Sequence, residues 1–271
     1  MTVRPRKAAQ LELLVAHEQK RFGFSEQVCQ KWETAEDALA WWRRQIQQQG
    51  IFVFEMKLEP DEVRGASHWV ASRFPFMLIN HQDAETATGR LFTLLHEYAH
   101  LLTTQEGITC DVRGHGQEGE RGESFANRFA AHMLLPVEQF RKSLKEAGKL
   151  QFKENWSDAE LDTLRHPFFV SRDVVAIALQ QMNLAPAKFY EKKREQWERR
   201  KPWGRAKTRR PLTKKERKAR EMGTSAIRAF LALEERQALP LLDVASALNM
   251  KVEKALDFLE WARSAMPSPD G

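Results

Sequence analysis

Leu91-Phe92-Thr93-Leu94-Leu95-His96-Glu97-Tyr98-Ala99-His100-Leu101-Leu102 is the stretch on which the reading of this chain turns. Its apolar residues recur on several faces of a helix, so it reads as a largely buried one. Positions four apart share a helical face, so His96 and His100 can offer two imidazole nitrogens to one metal ion. Glu97, beside them, is placed to act as base toward a water on that ion. Two histidines and a carboxylate crowded into one buried turn are costly without a cation or dense hydrogen bonding. The pattern therefore predicts zinc, with Glu97 as the catalytic residue.

A tetrahedral catalytic zinc takes three protein ligands, which calls for a third on another element. Glu123 opens a segment of helical spacing that ends at Leu134-Leu135-Pro136, and Gly122 reads as a breaker before it. Ala126 and Ala130, on the Glu123 side, would let this helix come close to the first. Glu106, Asp111, Glu118 and Glu120, around the Gly-rich connection before Glu123, are the competing carboxylates. Cys110 falls in the same connection. Its thiolate could fill the open metal position, an inhibitory fourth ligand that must be withdrawn before the site works. Tyr98, His115, Arg121, His132 and Tyr190 are the candidate donors for a developing oxyanion. His132, nine residues after Glu123, is half a turn out of register and reads as a surface or capping histidine.

Three blocks of this sequence resemble the ImmA/IrrE-type zinc metallopeptidases. Gly89-Arg90-Leu91-Phe92-Thr93-Leu94-Leu95-His96-Glu97-Tyr98-Ala99-His100-Leu101-Leu102 is close to the family's R-x-T-L-x-H-E-x-x-H-x-L. Glu123-x-x-Ala126-Asn127-x-Phe129-Ala130-Ala131, ending in Leu134-Leu135-Pro136, matches its E-x-x-A-N-x-F-A-x-x-L-L-M-P, with Leu135 where Met is usual. Gly50-Ile51, Arg64-Gly65 and Phe76-Met77-Leu78-Ile79-Asn80 look like its short sheet before the zinc helix. The blocks span about residues 50–136. The resemblance implies an α+β, zincin-like core with a short β-sheet and packed helices. It further implies His96, His100 and Glu123 as ligands, Glu97 as base, and a helix-turn-helix repressor as the protein substrate.

The rest of the chain divides by composition. Residues 1–190 read as the metallopeptidase domain, 191–222 as a basic Trp-containing segment and 223–266 as a helical C-terminal tail. The window 191–220 holds 15 Lys/Arg against 4 Glu, a local +11 in a chain whose formal net charge is +6. Lys192, Lys193, Arg194, Trp197, Arg199, Arg200, Lys201 and Trp203 interleave cations with indoles, as a single-stranded nucleic-acid surface does. The expected activator is accordingly single-stranded DNA. A solvated linker gives the same run of charge.

Elsewhere, residues 10 to 22 read as a helix, and Thr34 to Asp37 as a capping box for one ending at Gly50. Residues 51–56 and 76–79 read as strands, with further strand material at Val63 and 68–70. Another helix follows Ser171, and the tail reads as two helices joined at Asn249. The charged N-terminus excludes a signal-peptide core, and no run reaches membrane-spanning length. Two widely separated cysteines suggest no disulfide framework, so a cytoplasmic protein is expected. Two other functions fit the same residues: a nucleic-acid-binding regulator with a structural or inactive zinc site, and a small-molecule amide hydrolase.

Overall fold

A computed structural model describes residues 8–58, 63–81, 86–103, 117–198 and 212–265. The chain opens with α1 (Ala8–Phe22), a single turn α2 (Glu26–Cys29) and α3 (Ala35–Gln48). Strands β1 (Phe52–Met56), β2 (Gly65–Val70) and β3 (Phe74–Asn80) follow, then α4 (Ala87–Thr103) and α5 (Gln117–Leu134). Helices α6 (Val137–Glu146), α7 (Asp158–Arg165), α8 (Arg172–Gln181) and α9 (Phe189–Glu198) lead to α10 (Lys214–Glu235), α11 (Leu241–Ala247) and α12 (Val252–Ala265). The architecture is the α+β one expected. Among the described residues, no helix is long and apolar enough to cross a membrane.

Local chemistry accounts for the boundaries. Thr34 and Asp37 form the expected capping box: Thr34 N–H donates to Asp37 Oδ2 at 2.9 Å and Asp37 N–H to Thr34 Oγ1 at 3.3 Å. Ala38, Leu39, Trp42 and Ile46 then line one buried face of α3. Ser171 caps α8 with its hydroxyl alone, which accepts from Val174 N–H. Asn249, with φ of 51°, joins α11 to α12.

The sheet has the order β1-β3-β2, with β1 parallel and β2 antiparallel to the central strand. Period-two alternation turns Val53, Met77 and Ile79 into the core, where α4 lies across β2 and β3. Ala71 and Ser72 both have positive φ in the tight turn between β2 and β3, closed by Arg73 N–H to Val70 O at 3.1 Å. The connection between the paired Val70 and Phe74 is thus three residues long and begins with two left-handed ones.

The structure moves two boundaries. Within the window 191–222, residues 191–198 belong to α9, which packs on the main core through Phe189, Tyr190 and Trp197, and residues 214–222 are the first half of α10, while residues 199–211 lie outside the described residues. A second core, built from Ile227, Val244, Phe258 and Leu259 among others, joins α10, α11 and α12. Gly122 is no breaker either, because α5 begins at Gln117 and runs through it.

Helix α10 bends at Gly223, whose φ of 74° lies outside the helical region. This bend lets α10 press on β1: a Cβ at Gly223 would stand 2.4 Å from the Val53 carbonyl and 2.3 Å from Gln47 Nε2. Arg43 donates to that same carbonyl at 2.8 Å and also to the Arg220 carbonyl, while Thr224 and Ser225 donate to Gln47. Gly223→Ala should loosen the C-terminal helices at a cost of about 2 kcal/mol or more, through strain and steric displacement. Thermal unfolding and limited proteolysis of the variant check this, and an unshifted melting profile would contradict it.

Candidate metal centre

Thr86 starts the helix of the metal motif, its hydroxyl accepting from Gly89 N–H at 3.2 Å. From there α4 is buried on most sides, and Leu91, Leu94, Leu95, Tyr98 and Ala99 are each within 1% of full burial. The rotation of α4 is fixed by polar anchors on either side. Tyr98 donates to buried Glu18 at 2.5 Å, and Trp69 Nε1 donates to the Leu101 carbonyl at 3.2 Å. His96 and His100 are thereby held toward α5.

Ala126 and Ala130 are fully buried where α5 meets α4. With no side chain beyond a methyl at either place, α5 carries Glu123 directly over the two imidazoles. His96 Nε2 and His100 Nε2 lie 3.0 Å apart, and Glu123 stands 3.2 Å from the first and 3.3 Å from the second. One ligand atom from each of the three falls within 4.8 Å of the others. A tetrahedral ion with metal–ligand distances near 2.0 Å separates its ligand atoms by about 3.3 Å, so this donor set fits such an ion. The contacts with His100 and His96 hold the Glu123 carboxyl well below the usual carboxylate range.

His96 Nδ1 meets Asn127 Oδ1 at 3.0 Å, one helical turn beyond Glu123. With Oδ1 accepting, the ring proton sits on Nδ1 and the Nε2 lone pair is left for a metal. Glu97 projects toward β2 and is 3% exposed. Its Oε2 has no hydrogen-bond partner among the described residues. Burial pushes its carboxyl pKa up, opposed by the nearby His96, His100 and Ser67. Gly65 makes room for it: a Cβ there would come within 2.9 Å of Glu97 Cγ and 2.6 Å of Thr93 Cγ2. The Glu123 side chain is half exposed, which opens this face of the centre to solvent.

Residues 46–180 match the family model described as the IrrE N-terminal-like domain. This domain belongs to the ImmA/IrrE-type metallopeptidase family. No curated protein and no solved structure matches the chain. The matched span contains both helices of the metal centre and the whole sheet, and it ends within α8. The C-terminal helices lie beyond it.

The remaining site residues read from sequence fare differently. Tyr98 is withdrawn as an oxyanion donor, because its hydroxyl is committed to Glu18 and accepts from Arg21 at 3.1 Å on the far side of α4. His132 is not a surface histidine: it is half-buried and bonded to Gln181 of α8. Tyr190 is buried, its hydroxyl pKa raised by burial and by Asp173. Cys110, His115, Glu106 and Asp111 lie outside the described residues, as do the side chains of Glu118, Glu120 and Arg121.

Of the proposed nucleic-acid residues, Lys193 and Trp197 are held internally by Asp158, at 3.1 Å and 3.3 Å. The indole of Trp197 also packs on the main core, so it is not presented for stacking on a base. Arg194 interacts with Tyr190, whereas Lys192 is exposed. Arg199, Arg200, Lys201 and Trp203 lie outside the described residues.

Sequence reasoning overlooked Asn127 as a positioning group and Gly65 as the space for Glu97. Spacing could have suggested the first, since Asn127 follows Glu123 by four and must share its face. Asn127→Ala should weaken metal affinity by about 10–100-fold, while Asn127→Asp, which keeps an acceptor, loses less. Competition against a chromophoric chelator measures both, and unchanged affinity in the alanine variant would remove the positioning role.

Proposed function

We propose that this chain is a zinc-dependent endopeptidase that cleaves a protein, a helix-turn-helix transcriptional repressor, and so relieves repression. The observation that carries the reading is the convergence of His96, His100 and Glu123 beside a buried, poised Glu97. His96, His100 and Glu123 would hold the zinc, with Asn127 fixing the His96 tautomer. Zinc, when bound, supplies Lewis acidity toward water and a peptide carbonyl.

The chain's own groups supply the proton chemistry. Glu97, its pKa raised by burial, can take a proton from water and return it to the departing amine. A carboxylate at the ordinary pKa would hold that proton less well near neutrality. The β2 strand supports a polypeptide rather than a small amide as substrate. It lies at the sheet edge, paired with β3 alone among the described strands, and its Gly65 packs against Glu97. An extended peptide added to such an edge would be drawn past the metal centre by main-chain hydrogen bonds.

The repressor as substrate follows from family membership and is part of this proposal. So is activation by single-stranded DNA, which rests on the charge of Lys192, Arg199, Arg200 and Lys201 and on Trp203, with Lys193 and Trp197 already engaged by Asp158.

The test is incubation of the purified, zinc-quantified protein with the repressor-like product encoded beside it, with and without single-stranded DNA. Glu97→Gln should retain zinc and lose cleavage by roughly a hundredfold or more. Stoichiometric zinc without cleavage in any arm would reject this substrate. Gly65→Ala should likewise keep zinc but cut turnover, because the added methyl displaces Glu97; wild-type turnover in that variant would show that the close packing does not position the base.

A further inference from the structure

The face of the sheet turned away from the core is apolar too. Phe52 stands opposite Phe76 on it and Val70 opposite Phe74, with Phe54 two residues along β1. Helix α10 lies over this face and presents Met222, Ala226 and Phe230, spaced four apart, with Ala229 beside them. Only methyl groups at 226 and 229 meet the sheet phenylalanines, and a cavity of about 420 Å³ is left between helix and sheet. Val70 and Phe74, 48% and 53% exposed, form its open end beside the hairpin tip. Protein interiors are close-packed, and a gap of this volume matches small-molecule sites rather than packing defects.

The lining is apolar throughout, so what enters must be hydrocarbon. A main-chain amide or a hydroxyl would be stripped of water there with no partner. One leucine or phenylalanine inserted from a protein partner would fill only part of the volume, whereas a flexible alkyl chain can follow it. Charge at the open end selects the head group. Arg73 is exposed at the hairpin tip, its guanidinium carbon 5.7 Å from the centroid of the Phe74 ring, and it pairs with no carboxylate among the described residues. We propose that the cavity between the sheet and α10 binds the alkyl chain of a medium-chain fatty carboxylate, with the carboxylate at Arg73. The chain would touch both β1 and α10, and so fasten the C-terminal helices to the sheet on the side opposite the metal helix.

The test is calorimetric titration of the full-length, zinc-loaded protein with decanoate below its micelle concentration, beside octanoate and uncharged 1-decanol; no cleavage is needed for the readout. Saturable binding is expected, tightening about fourfold per methylene and hence about fifteenfold from octanoate to decanoate. Ala229→Trp fills the cavity and should abolish binding of decanoate and decanol alike, with zinc content and melting profile confirming that the variant is folded. Arg73→Gln, at an exposed position, should weaken decanoate about two- to fivefold and leave decanol unchanged. The absence of saturable binding to wild type would overturn the proposal. So would decanoate binding that survives in folded Ala229→Trp, which would place the carboxylate elsewhere, such as on the zinc. Two further results would reassign the face and overturn it: co-sedimentation with phosphatidylglycerol vesicles without binding of free decanoate, which marks a membrane contact, and a dimer that Ala229→Trp dissociates while decanoate does not bind, which marks a second copy of this chain.

Discussion

The close approach of α4 and α5 is the constraint from which the rest of the centre follows. Two histidines four apart on a helix define half of a metal site, and the other half must arrive on a separate element. Alanines at 126 and 130 permit that arrival, since any larger side chain there would hold Glu123 away from the imidazoles. The contact must also fix rotation, because a helix turned by a fraction of a turn would carry His96 and His100 out of reach. Tyr98 on Glu18, Trp69 on the Leu101 carbonyl and Asn127 on His96 provide that fixation from three directions. The aromatic contacts of Tyr98 with Phe22 and Phe129 reinforce it in the apolar core.

Charge is partitioned in a way that composition conceals. The basic window appears as one solvated run, yet Lys193 pairs with Asp158 and Arg220 stands 3.4 Å from Glu55. Asp158 also receives Arg172, so one carboxylate from α7 gathers groups from α8 and α9. These pairs stitch helices to one another, and part of the apparent binding surface is thereby internal structure.

What could be read from the chain was whatever is encoded locally. The i, i+4 histidines, the Thr34 capping box, the Ser171 cap and the alternating strands each depend on residues a few positions apart, and each appears where the pattern placed it. The start of α5 was hidden because Gly119 and Gly122 oppose helix locally, while packing of the segment that follows favours it. Tyr98 looked available because its partner, Glu18, is 80 residues away. Trp197 looked like a stacking platform because the carboxylate that holds it is 39 residues away. The role of Gly65 depends on a strand lying across a helix, a relation that sequence separation does not express.

The turn at Ala71 and Ser72 has a consequence that reaches the base. A three-residue connection with two left-handed residues and no glycine is strained, and it holds β2 and β3 in a single alignment, Gly65 opposite Ile79. A slip of one position would exchange the faces of the strand and bring the methyl of Ala66 toward the space that Glu97 fills. Lengthening or shortening that tip by one residue would thus silence the centre from the opposite end of the hairpin, with every metal ligand still in place.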